Sequence, residues 1–220
     1  MKIPVRRLLG QGRLDEISER AGRSRRVLGT LVSMTFDADP QTAWRAVDAM
    51  GRAAARIAEE DPAFVREHLR RLFWLMSEES GGICWRAPEA MAEIVGRCPE
   101  LFADYVPVVL HLILEAAEED LEHFRPGMLW AIGRLGPLAE ASADEVLPTV
   151  IHALDHEDAR VRGMAVWCLH RLGRNDALTG RADLADDAGA FDFYADGVVR
   201  RTRVGEMVRR VLGQTPDDGM

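Results

Sequence analysis

An all-α chain, an α-α superhelix of about four stacked helical hairpins, is predicted by three observations. A short phrase recurs as Trp-Arg-Ala-Val-Asp-Ala-Met-Gly at 44–51, Trp-Arg-Ala-Pro-Glu-Ala-Met-Ala at 85–92, Pro-Gly-Met-Leu-Trp-Ala-Ile-Gly at 126–133 and Gly-Met-Ala-Val-Trp-Cys-Leu-His at 163–170. Its copies begin 41, 41 and 37 residues apart, a period that belongs to repeats whose units bury their apolar faces only against their neighbours. Between copies, apolar residues keep helical spacing and the breaks are short and polar, as in helix hairpins.

Taken in order, Arg13 to Ala21 reads as a first helical segment stopped at Gly22, and Arg25 to Thr35 follows with Val27, Leu28, Leu31, Val32 and Met34 on one side. Asp39-Pro40 and Asp61-Pro62 each place a capping carboxylate before a proline that suits the first helical turn. They start helices running to about Glu59 and Glu79, and Ser80-Gly81-Gly82 ends the latter. Ile83 to Arg97 is next, and Pro88 within it predicts a kink or a late start. Pro99 to about Glu119, Arg125 to about Glu140 with a break at Gly136-Pro137, Ala143 to Leu154 and Asp158 to Leu172 complete the series. Beyond it, Arg174 to Ala190 reads as a loop. Phe191 to Tyr194 and Val198 to Arg203 flank Ala195-Asp196-Gly197 as a β-hairpin, and Val204 to Leu212 reads as a closing helix. The chain thus parses into an N-terminal basic helical cap at 1–24, a repeat body at 25–173, and a linker, hairpin and capping helix at 174–220.

Composition excludes several classes. With 47% hydrophobic and 29% charged residues among 220, the chain is globular rather than disordered. No apolar run approaches the about 18 residues of a membrane span, and no secretory signal is readable, so a cytoplasmic protein is expected. Cys84, Cys98 and Cys168 are read as reduced thiols. The net charge of -8 is uneven: residues 1–26 carry eight basic groups against three acids. That end reads as a solvated face, with a contact to something anionic as the sharper alternative.

The segment Leu147 to Gly173 is the most diagnostic. An apolar first helix, an Asp-bearing turn at Asp155 to Asp158, the pair Val161-Arg162 and the ending Leu172-Gly173 resemble the HEAT-repeat pattern. Arg125, Leu135 and Gly136 keep parts of it in the third copy, and Asp37, Asp39, Ala46 and Met50 in the first; the second departs most. The layout is similar to small uncharacterised bacterial proteins of HEAT-like build. The resemblance implies a HEAT-like solenoid whose second helices line the concave side; it implies shape, not a reaction.

With about 100° of rotation per residue, Val161, Ala165, Cys168, Leu169 and Leu172 form one stripe, and Gly163 and Trp167 fall opposite. Trp44 and Trp85 occupy the place of Gly163; Trp130 and Trp167 occupy that of Asp48 and Glu89. Each second helix therefore carries one tryptophan on a non-core face, beside Arg45, Arg52, Arg86, Arg134 and Arg171. The expectation is a Trp and Arg groove edged by Asp48, Glu89 and Glu93, made of residue types that dominate binding hot spots. The alternative is that the indoles pack between adjacent second helices.

Chemistry finds little support. His152 and His156 lie four apart among acids, but His156 falls in a turn, and no metal or other cofactor is expected. No Gly-rich phosphate loop or serine elbow is present, and Cys168 and His170 point to different faces. The expected function is non-enzymatic, a scaffold or adaptor binding a protein partner's peptide or helix, itself a monomer or weak homodimer. Nucleic-acid binding in the manner of the DNA-alkylation-repeat glycosylases is the alternative, and the acidic total opposes it.

Overall fold

Carboxylates placed one residue before a helix settle where three of the longer helices begin. Asp39 Oδ2 accepts from the Thr42 N–H at 3.1 Å, Asp61 Oδ1 from the Phe64 N–H at 3.0 Å, and Asp158 Oδ1 from the Arg160 N–H at 2.7 Å, each satisfying an amide that the helix leaves without a partner. The computed structural model describes residues 2–76, 86–118 and 122–213. The chain is all-α apart from one β-hairpin and forms two units, Met1–Tyr105 and Val106–Met220.

The first unit contains α1 (Lys2–Gly10), α2 (Leu14–Arg23), α3 (Arg26–Met34), α4 (Pro40–Ala58), α5 (Pro62–Trp74), α6 (Ala87–Arg97) and α7 (Pro99–Phe102). Helix α4 lies at its centre, with α2 and α6 along its sides and α3 against its core stripe. Its buried residues go nearly all the way round: Ala43, Trp44, Ala46, Val47, Asp48, Ala49, Met50, Gly51, Ala53, Ala54 and Ile57 are all enclosed. Five alanines and a glycine among them make this possible, because small side chains let flanking helices approach on every side. At Gly51 a Cβ would stand 2.9 Å from the carbonyl oxygen of Glu93 on α6.

The second unit contains α8 (Val106–Glu118), α9 (Arg125–Leu135), α10 (Ala143–His152), α11 (Ala159–Arg171), α12 (Ala182–Ala185), β1 (Ala190–Ala195), β2 (Val198–Arg203) and α13 (Val204–Val211). Helices α8 and α9 pair, as do α10 and α11, and α9 packs along α11. Here Gly133 takes the part of Gly51: a Cβ would meet the Trp167 ring at 2.4 Å. In the first and third copies the last residue of the recurring phrase is thus a point of close approach between consecutive second helices. Strands β1 and β2 pair antiparallel, with Ala195 opposite Val198, and Asp196 and Gly197 take φ of 51° and 77°, the positive values that a tight two-residue hairpin turn requires. Strand β1 and α13 both pack on α11.

Several expectations are corrected. The N-terminal helical cap at 1–24 is two helices and not the one segment expected from Arg13: residues 2–10 form a helix of their own, with Val5, Leu8 and Leu9 supplying its apolar face. Helix α5 ends at Trp74 rather than near Glu79. The segment from Pro99 is not one helix: α7 and a 3-10 turn at Ala103–Tyr105 precede α8, because Pro107 fits only a first helical turn. Helix α6 starts late, at Ala87, with Pro88 in its first turn. Ser80, Gly81, Gly82, Ile83, Cys84 and Trp85 lie outside the described residues.

Candidate functional site

In the first unit, the expected groove residues form an ion-pair network instead of an open wall. Trp44 is only 6% exposed, and the Arg86 guanidinium covers its ring at 4.2 Å from the centroid, where a cation meets the ring's negative face. Arg86 Nη1 also donates to Glu89 Oε1 at 3.3 Å. Arg45 turns away and donates to the carbonyls of Leu9 and Gly10 at 3.1 and 2.9 Å, capping the end of α1. Buried Asp48 Oδ1 accepts from Arg52 Nε at 2.9 Å and from Arg97 Nη2 at 2.7 Å, and Arg52 reaches on to Asp15 on α2 at 2.9 Å. Glu93, also buried, faces Arg97 at 3.3 Å. Two carboxylates, Asp48 and Asp15, thus tie α2, α4 and α6 together through Arg52 and Arg97. Breaking such a buried pair is costly because it leaves a charge uncompensated.

In the second unit the indoles stack on each other. The rings of Trp130 and Trp167 lie 5.9 Å apart and 18° from parallel, and Phe193 of β1 meets Trp167 edge-on at 5.4 Å. Trp130, 3% exposed, donates its indole N–H to the Tyr194 carbonyl at 3.4 Å. Phe191 lies over Gly163 so closely that a Cβ there would meet its ring at 2.1 Å. Arg171, exposed on the same helix, donates to the Gly133 carbonyl at 3.3 Å, and Arg134 is half-buried. The face of α9 and α11 therefore carries an extended aromatic segment of the chain itself.

Expected on an open surface, Trp44 and Trp130 are instead sealed between neighbouring elements, Trp167 is half-buried, and Trp85 lies outside the described residues. A face opposite the core stripe is not free in a stack, because second helices also flank each other. Trp74 and Phe73 were missed, although both fall off the Val65, Leu69, Leu72 stripe of α5 and are 48% and 43% exposed. Phe191, Phe193 and Tyr194 were read as a hairpin without a role on this face; the aromatic residues of β1 were the available signal.

The chemical candidates have structural occupations. His156 Nδ1 accepts from the Asp158 N–H at 3.0 Å and closes its turn. Arg162 supports that turn from below, donating to the carbonyls of His156 and Glu157 at 2.6 and 2.8 Å and to Asp187 Oδ2 at 2.7 Å. Its guanidinium holds the Asp187 carboxyl below the ordinary range. Cys168 is fully buried, and burial pushes its thiol pKa upward, away from the thiolate that reactivity needs. Among the described residues, no three His, Cys, Asp or Glu side chains gather as a metal would require. No helix of those residues is long and apolar enough to cross a membrane.

The motif around that turn has relatives. Residues 146–175 match the family model described as HEAT repeat, so the chain carries a HEAT repeat there and resembles that family. The chain is also similar to a protein of Archaeoglobus fulgidus named only as "Uncharacterized protein", 25% identical over 186 residues that span 82% of this chain and 93% of the relative. No solved structure matches.

Proposed function

We propose that the protein is a non-enzymatic adaptor of the cytoplasm that holds a segment of a protein partner on its second-helix faces. HEAT repeats generally serve protein–protein interaction, and their stacked helices offer extended surfaces for it. The observation that carries the reading is the surface of α9 and α11. It already holds an extended aromatic strand by an edge-on ring contact and by one indole N–H to a backbone carbonyl, which is the chemistry by which such a surface takes a peptide. Arg134, Trp167 and Arg171 are the members of this face left accessible beside the strand, and Arg45, Arg52 and Arg86 are their counterparts in the first unit. Trp44 and Trp130 support them from beneath, and Asp48 and Glu89 fix the arginines by ion pairing.

Affinity capture from the source cell tests the reading, comparing the native protein with an Arg134→Ala/Arg171→Ala variant. Both positions keep solvent contact, so melting should stay within about 1 kcal/mol of the parent, while a discrete set of partners is lost. An unchanged set of captured proteins would count against the second-helix face.

A further inference from the structure

The first two copies of the recurring phrase answer their arginines from within, and the last two do not. In the first unit, Asp48 pairs with Arg52, four residues on, at 2.9 Å, and Glu89 and Glu93 face Arg86 and Arg97 at 3.3 Å each. Trp130 and Trp167 stand in the places of Asp48 and Glu89, and helices α9 and α11 contain no Asp or Glu at all. The carboxylates that meet Arg125, Arg160 and Arg162, those of Glu122, Asp158 and Asp187, come from outside these helices. Arg171, in the place of Arg52, is exposed one turn beyond half-buried Trp167 and donates to the Gly133 carbonyl. Arg200 is exposed too and lies opposite Phe193, on the same face of the hairpin. Neither Arg171 nor Arg200 has a carboxylate at ion-pair distance among the described residues. Of the acids on neighbouring segments, Asp144 pairs with Arg174 at 2.7 Å and Asp192 with Arg201 at 3.1 Å, while Glu140 and Asp196 reach neither arginine.

Strand β1 shows how an extended segment lies along α11. Phe191 sits over Gly163 and Phe193 against Trp167, so two strand residues, about 6.6 Å, cover four helical ones, about 6 Å. One further step of that register leads to Arg171, but β1 ends at Ala195 and the chain turns back at Asp196 and Gly197. We propose that this face takes an extended segment of a partner protein in which an aromatic residue and a carboxylate stand two residues apart. The ring covers the open part of Trp167, and the carboxylate meets Arg171, supplying from outside what Asp48 supplies to Arg52. Arg171 Nε holds the Gly133 carbonyl, which leaves the two Nη groups for a paired contact with the carboxylate oxygens. In a chain of net charge -8, such a place draws an acidic segment that the rest of the surface repels. The inference rests on the adaptor reading and names the class of its partner.

The probe is a synthetic peptide that repeats Phe-Thr-Glu-Ser over about eight residues, about 26 Å when extended, with a second peptide carrying lysine for glutamate. Binding to the full chain is followed by fluorescence anisotropy. The glutamate peptide should bind at least about tenfold more tightly than the lysine peptide and weaken as salt is raised. Arg171→Glu should cost the glutamate peptide about tenfold or more and strengthen the lysine peptide, with the circular dichroism spectrum intact. Arg26→Glu makes the same charge change at an exposed position of α3 and should leave both affinities unchanged. Equal binding of the two peptides, binding of neither, or equal losses from Arg171→Glu and Arg26→Glu would overturn the proposal. If the partners captured from the cell still depend on Arg134 and Arg171 while the peptides do not discriminate, the acidic class fails and the adaptor reading stands.

Discussion

Two glycines at helical positions answer oppositely to the same substitution. In α3, Gly29 is exposed and has nothing within 4 Å of where a Cβ would stand, so Gly29→Ala should stabilise by roughly 0.5–1 kcal/mol through helix propensity alone. In α11, Gly163 lies under the Phe191 ring, and the same change should destabilise by about 1–3 kcal/mol through overpacking. Urea unfolding checks both, and equal signs would remove Phe191 from that position. His68 on α5 is buried, and its Nε2 meets no hydrogen-bond partner among the described residues. Burial, helped by the charge of Arg71, lowers its pKa to about 4 from 6.5. Between those values the unfolded chain binds the proton and the folded chain does not, so stability is full above about pH 6.5 and falls toward pH 4, by up to about 3 kcal/mol. In denaturant titrations at pH 7.5 and 5, His68→Leu should flatten this loss; an unchanged slope would mean that His68 titrates normally.

Helix starts were legible because their chemistry is local. Asp39-Pro40 and Asp61-Pro62 announce themselves in two letters, and each carboxylate caps the amide that the rule assigns. Asp39→Ala and Asp61→Ala should each cost about 0.5–2 kcal/mol, measurable as lowered melting temperatures, and a neutral result would mean that water replaces the cap freely. The β-hairpin was legible for the same reason, since Asp196-Gly197 specifies its turn. What stayed hidden depends on non-local packing. The angle around α11 correctly put Trp167 opposite the core stripe, but it could not say that β1 would lie there. The alanines of α4 were visible as letters, yet their effect, a helix enclosed on nearly every side, appears only when α2 and α6 are in place. Trp44 and Trp130 were consequently placed on an open face when they belong between elements.

Across the whole molecule, the recurring phrase is foremost a packing device. Gly51 and Gly133 bring consecutive second helices close, and a planar group follows beside them, Arg86 on Trp44 and Trp167 on Trp130. The repeat architecture was therefore readable from periodicity alone, while the division into two units after Tyr105 was not, because the 41-residue step of the phrase continues across it. The remaining arginines and Trp167 on the second-helix faces are what the proposed adaptor function rests on. The most direct measurement is site-specific photocrosslinking in the source cell, with benzoylphenylalanine placed either at Arg171 on that face or at exposed Ile151 on α10, the first helix of the same hairpin. The account predicts a reproducible crosslink to a discrete protein from position 171 and none from 151; crosslinks from 151 alone, or from neither, would contradict it.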